Sequence, residues 1–156
     1  MTTLELLHET ASALAWQLNT ANESQLRRVA GAVSRAAVER TSLSHPLIAE
    51  ALTHLSTSAS PDTQLRGRVQ EFAAQLDEQY FQLKQAHEEA EDAGKTNPQV
   101  VLAFSRARAA SAVAAALDND ARTAAAVAAY EAIAATGDSI YLTAVTESVL
   151  ATPTNV

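Results

Sequence analysis

The chain of 156 residues carries eleven basic and eighteen acidic side chains, a formal net charge of −7, and no cysteine. Its length accommodates one hydrophobic core, and the lack of cysteine excludes disulfides, thiolate metal sites and cysteine nucleophiles. The acidic balance disfavours long-range attraction to nucleic acid or anionic lipid and favours a basic partner. We therefore expect a protein that binds neither nucleic acid nor membrane.

Hydropathy along the chain predicts neither a signal peptide nor a membrane span. The first nine residues have acids among their leucines and no leading basic segment. The most weakly polar tract, Ala107 to Thr136, is dominated by alanine and interrupted by charged residues. We expect a cytoplasmic protein.

Helical periodicity dominates, beginning with a first helix predicted from about Thr3 to Asn19. The chain's single tryptophan, Trp16, lies about 170° around this helix from its apolar stripe, at about 100° per residue. Either the helix is sandwiched between two layers, or Trp16 is exposed and anchors a partner. The stripe itself consists of Leu4, Leu7, Ala11, Leu14 and Leu18.

A second helix is predicted from about Glu23 to Arg40 behind the cap Asn22, and a short third helix starts at Pro46. The second helix bears the chain's one basic cluster, and we expect this cluster to be a solvated face paired with Glu39 and the acids of the fourth helix. DNA binding is disfavoured because the following helix has no arginine. The cluster comprises Arg27, Arg28, Arg35 and Arg40.

The fourth helix is the longest, predicted from Pro61 until Gly94, which has the position of a left-handed helix-ending residue. Asn97-Pro98 starts a fifth helix that we expect to form an antiparallel hairpin with the fourth. Further helices follow at 121–136 and from Ser139. The prediction is an all-α single domain over 1–151, a bundle of six or seven helices with a long central hairpin, and a flexible tail over 152–156. A short α-solenoid is the alternative, although no repeat recurs with matched positions.

Motifs for catalysis or cofactor binding fail on specific residues. Gly94-Lys95-Thr96 resembles the end of a phosphate loop, but the required glycine five residues earlier is Glu89. Glu5 and His8 have metal-ligand spacing without the second pair that a dinuclear centre needs. The chain has no Gly-x-Ser-x-Gly. We expect no catalytic residue, no metal and no cofactor, and hence no enzyme.

The end of the fourth helix concentrates negative charge. Acids in a last helical turn oppose the helix dipole, each at roughly 0.3–1 kcal/mol. Either the helix frays after about His87 and the end is solvated, or the patch binds a basic partner. The candidate partner-binding acids are Glu88, Glu89, Glu91 and Asp92.

Two segments carry a family resemblance. Leu26-Arg27-Arg28-Val29-Ala30, followed by the proline-started helix, and the alanine-rich pair from Phe104 to Thr136 resemble small all-helical immunity proteins of bacterial toxin loci. The resemblance implies stoichiometric binding and neutralisation of a toxin domain, without turnover. Because complementary charge accelerates association, the acidic patch suits a basic toxin domain, with Trp16 as a secondary anchor.

The alternative function is a bundle that binds a small molecule between its helices, as regulators and carriers do. Aromatic side chains are the candidates for lining such a cavity, although they also suit the core. The oligomeric state stays open. These aromatic residues are Phe72, Tyr80, Phe81, Phe104 and Tyr130.

Overall fold

The computed structural model describes residues 2–57, 60–90 and 94–152. Within these ranges the chain forms eight α-helices and no strand, which confirms the predicted all-α class. The helices are α1 (Thr3–Thr10), α2 (Ser12–Thr20), α3 (Glu23–Thr41), α4 (Pro46–Thr57), α5 (Thr63–Glu89), α6 (Pro98–Ala116), α7 (Ala121–Thr136) and α8 (Ser139–Ala151).

The first predicted helix is in fact two helices, which is why the described residues hold one more helix than expected. Ala11, with φ −152° and ψ 74°, separates α1 from α2. The break lets α1 pack against α7 while α2 packs against both α7 and α8. Neither glycine nor proline marks this position, so the sequence pattern had predicted a continuous helix.

Several helix starts follow from local capping. Thr2 and Glu5 form a capping box at the start of α1, and Asn22 and Gln25 form another at the start of α3. Glu5 is therefore committed to the Thr2 backbone N–H, 2.8 Å away. Glu5, which has metal-ligand spacing with His8, acts in the structure as a capping residue of α1.

The core is built largely from alanine. Alanines on α6 and α7 are fully buried, because small side chains let the axes of these helices approach each other and α3 closely. Larger side chains from α1, α2, α3 and α8 close this core. These are Leu7, Leu14, Leu18, Val29, Val33 and Leu142.

Helices α5 and α6 pack against each other in antiparallel orientation. The Arg66 guanidinium lies 2.9 Å from Asp118, and the rings of Tyr80 and Phe104 are 5.4 Å apart. Residues farther along α5 thus contact residues closer to the start of α6. Leu65, Val69 and Ala73 are the buried residues of α5.

None of the helices in the described residues combines the length and apolar character needed to cross a membrane.

Candidate partner-binding surfaces

The second half of α5 and the first half of α6 form an arm, defined here as residues 74–90 and 94–106. None of these residues is buried, whereas burial on α6 begins at Ala107. Along α5 the arm is roughly 24 Å long, at about 1.5 Å per residue. Arg106 at its base donates to the Thr41 carbonyl oxygen at the end of α3, 3.1 Å away. Farther out, in the described part of the chain, no third helix buries a residue of the pair.

Exposed apolar side chains concentrate on this arm. Within the described residues, four of the six large exposed hydrophobic side chains belong to it. Soluble surfaces usually carry such side chains singly, so their concentration makes the arm a candidate interaction surface. The four are Phe81 (58% exposed), Val101 (52%), Leu83 (40%) and Leu102 (40%).

Phe81 and Val101 belong to one face of the arm. Phe81 follows Asp77 by four residues, and Arg108 follows Val101 by seven, so each pair shares a side of its helix. The Asp77 carboxylate and the Arg108 guanidinium lie 2.6 Å apart. The Asp77 side of α5 and the Arg108 side of α6 therefore form one face of the arm. We call this the arm face. From the sequence, Phe81 is predicted to lie in the core or to line a cavity. It lies about 100° around the helix from Tyr80, on the exposed arm face.

The base of the arm face is fixed by one arginine and two carboxylates from three helices. Arg108 on α6 bonds Asp77 on α5 at 2.6 Å and Glu131 on α7 at 2.9 Å. Burial disfavours the charged guanidinium, but hydrogen bonds and charges from both carboxylates outweigh it and raise the pKa of Arg108. Burial also raises the pKa of Glu131, against the opposing effect of Arg108.

The predicted acidic cluster is only partly within the described residues. Glu88 and Glu89 are exposed in the last turn of α5, while Glu91 and Asp92 lie outside the described ranges. Helix α5 ends at Glu89, not at Gly94, so the prediction of a left-handed Gly94 at its end is wrong.

The chain turns back at this point through contacts of one histidine. His87 Nε2 donates to the Lys95 carbonyl oxygen at 2.6 Å, and its Nδ1 lies 3.5 Å from the Asn97 amide nitrogen. These contacts join the end of α5 to the start of α6.

Trp16 lies on the solvent side of α2. It is 64% exposed, because Leu14, Ala15 and Leu18 occupy the buried side. Of the two readings of this residue, exposure is the one observed. A groove of about 410 Å³ runs between the start of α2, including Ala13, and α8 beside Ile140, which is 84% exposed.

The structure places the two sets of predicted binding residues on different parts of the molecule. Trp16 belongs to α2, which packs on α1, α7 and α8. Glu88 and Glu89 belong to α5, which packs on α4 and α6. One compact partner surface therefore does not contain both sets.

The basic cluster of α3 is structural, and the expected pairing with Glu39 and the acids of the long helix is wrong. Arg27 donates to the backbone carbonyls of Asp118 and Asn119 beyond the end of α6. Arg28 donates to carbonyls at the end of α8, 3.2 Å from the Val149 oxygen. These bonds tie α3 to the turn between α6 and α7 and to the last turn of α8.

The remaining members of the cluster also bind within the protein. Arg35 donates to the Leu52 carbonyl at 3.4 Å. Arg40 pairs with Asp138 at 3.1 Å and lies 4.2 Å from the centre of the Tyr141 ring. The four arginines therefore join α3 to its neighbours.

A surface groove of about 660 Å³ lies near the start of α3 and the end of α4, lined in part by Ser24, Arg27, Arg28 and Leu55. The aromatic side chains proposed to line a cavity do not contribute to it; Tyr80, for example, contacts Phe81 and Phe104. In the part of the chain that the structure describes, no three potential metal-ligating side chains of His, Cys, Asp or Glu come together.

No protein-family model, curated protein or solved structure matches the chain.

Proposed function

We propose that this protein is a non-enzymatic binding domain that neutralises a toxin domain by stoichiometric association. The observation that carries the proposal is the arm: two long helices whose outer halves bury no residue and expose Phe81 and Val101. The free-energy cost of ordering such a surface is offset when a partner covers it, because the burial of apolar area contributes about 25 cal/mol per Å². The toxin class rests on the resemblance to immunity proteins.

The charge at the end of the arm supports a basic partner. Glu88 and Glu89 are exposed there, and the sequence continues with Glu91 and Asp92. Complementary charge of this kind raises the association rate and makes it dependent on salt. Trp16 is proposed as a second anchor, for a separate part of the same partner.

The test is co-expression with a basic toxin domain encoded beside this chain. We expect rescue of growth and a complex of one copy of each protein. Reversing the charge of Glu88, Glu89, Glu91 and Asp92 together should weaken binding and flatten its dependence on salt. Unchanged affinity and unchanged salt dependence would contradict the assigned binding residues, and a failure to form any complex would contradict the function.

A small-molecule function is the second candidate, and the groove beside Arg27 and Arg28 favours it. Its volume of about 660 Å³ lies within the range of ligand pockets, roughly 300–1,000 Å³. A metabolite that raises the melting temperature would support this function, because a ligand that binds only the folded state stabilises it. Replacing Leu55 with Trp should then abolish the shift by filling the groove.

A further inference from the structure

The arm face carries its own pattern of apolar and charged side chains and shares Glu88 with the acidic end of α5. Phe81 and Val101 supply exposed apolar area. Around Phe81, Glu78 precedes it by three residues and Glu88 follows it by seven, so both share its side of α5. Lys84 also borders Phe81, but it follows Tyr80 by four residues and therefore lies nearer α6. Acids thus exceed bases along the outer edge.

The arm face continues into a groove large enough for side chains of another helix. This groove, of about 600 Å³, runs from Val101 and Leu102 to Ala135 and Thr136 at the end of α7. Arg40 also borders it, but Asp138 pairs with that guanidinium at 3.1 Å. The surface available to a partner is therefore apolar, with acids along one edge.

We propose that a basic amphipathic helix of the partner protein lies across the arm face, with an apolar side chain against Phe81 and Val101 and basic side chains near Glu78 and Glu88. The partner helix would supply the third layer that the arm lacks. This inference rests on the proposed function, because it specifies how that partner binds. In helix-in-groove recognition, an amphipathic helix lays apolar anchors spaced three and four residues apart into an apolar groove such as this one.

Charge distinguishes this occupant from a second copy of the chain. Pairing two arms would bring two surfaces with excess acid together, on chains that each carry a formal net charge of −7. A basic helix neutralises the same acids. Because specificity is a difference between affinities, this repulsion favours the basic partner over self-association.

The test uses the full-length protein with the photo-crosslinker benzoylphenylalanine in place of Phe81, expressed with the proposed toxin partner. We expect a crosslink to an apolar residue of a partner helix that has Lys or Arg three or four positions away. The control places the crosslinker at Ala86, an exposed residue about 140° around α5 from Phe81. The control should capture little.

Three results would overturn the inference: a crosslink between two copies of this chain, capture of a segment without basic residues, or equal capture from both positions. No crosslink from position 81 in a complex that still forms would also overturn it, while leaving the proposed function standing. The absence of a complex by light scattering would contradict both.

A second measurement uses a synthetic peptide of the crosslinked partner segment, titrated by fluorescence anisotropy. Phe81→Ala should weaken its binding about 30-fold, as expected of an aromatic interface anchor. Leu83→Ala is the control on the other side of α5 and should change binding less than about twofold. Equal losses for the two variants would contradict the assigned face.

Discussion

The two halves of the α5–α6 pair differ in what covers them. In the inner half, Leu65, Val69 and Ala73 of α5 are buried, and α6 is enclosed by α3 and α7. In the arm, helices of similar length and periodicity contain no fully buried residue, although Leu76 at its base still packs against the core. The same helical pattern therefore yields core in one half and an open surface in the other, and the difference depends on whether a third layer is present.

This comparison also shows why alanine suffices in the enclosed half. Fully buried Ala110, Ala124 and Ala128 let α6, α7 and α3 approach closely, so many short-range contacts replace large side chains. In the arm, by contrast, larger side chains such as Tyr80, Phe81 and Phe104 contact one another without closing a core. Of these, Tyr80 and Phe104 are half-buried between the helices, whereas Phe81 is exposed and open to a partner.

The largest expected effect comes from truncating matched leucines on α5. Leu65→Ala should lower the free energy of unfolding by about 2–5 kcal/mol, because it leaves a cavity in the enclosed half. Leu83→Ala removes a side chain that is 40% exposed and should cost less than about 1 kcal/mol. Urea denaturation measures both. Equal losses would abolish the distinction between the two halves.

Removing the arginine at the base of the arm should have the next largest effect. Arg108→Met leaves the partly buried Asp77 and Glu131 without their shared cation and should cost about 1–3 kcal/mol. The control, Arg68→Met, breaks an exposed pair with Glu50 and should cost less than about 1 kcal/mol. Thermal unfolding compares the variants, and a larger loss for Arg68→Met would contradict a structural role for the triad.

A smaller effect is expected from pH at the same base. Burial raises the folded-state pKa of Glu131 above the ordinary value of a glutamate, so the folded protein binds this proton more tightly than the unfolded chain. The resulting stabilisation is complete below the unfolded pKa and is lost as pH rises through the folded pKa. Relative to Glu131→Gln, the wild type should therefore gain stability as pH falls from 7 to about 4.5.

Urea denaturation across this pH range checks the prediction. Asp120 and Asp138 have lowered pKa values, through hydrogen bonds from Thr123 and from the Tyr141 backbone respectively. Their contributions are present above their unfolded values and are lost in more acidic solution, and they cancel between wild type and variant. A stability difference that stays constant with pH would contradict the raised pKa of Glu131.

The smallest effect on stability is expected at the centre of the arm face. Phe81→Ala should change the free energy of unfolding by less than about 1 kcal/mol, because the ring is 58% exposed. Val101→Ala should behave alike, at 52% exposure. Loss of several kcal/mol for either, measured by urea denaturation, would show that these side chains serve folding and are unavailable for binding.

Local sequence signals predicted much of the fold. Pro98 starts α6 where predicted, and α7 spans the predicted 121–136, with Asp120 capping its start and Gly137, at φ +66°, ending it. Their effect depends only on neighbouring backbone, so one sequence reveals it. Ala11 has no such signal, and the break there follows from packing against two different helices.

The surfaces were harder to predict, because they depend on contacts with residues far along the sequence. The arginines of α3 had looked like a solvated face because their acceptors, such as Asp118 and Val149, lie far along the chain. The angle of Trp16 to the leucine stripe left its exposure open, because a second layer of helices could have covered it; the structure leaves it 64% exposed. The sequence did not predict the arm face, because its exposure to solvent depends on where α3 and α7 end.

The central claim is that the arm is the surface a partner covers. Amide hydrogen exchange, measured on the free protein and on the complex with the toxin domain, tests it most directly. We predict slower exchange in the complex over residues 78–88 and 101–106, with the inner half of α5 unchanged. Protection confined to the region of Trp16 and Ile140, with no change in the arm, would contradict the claim.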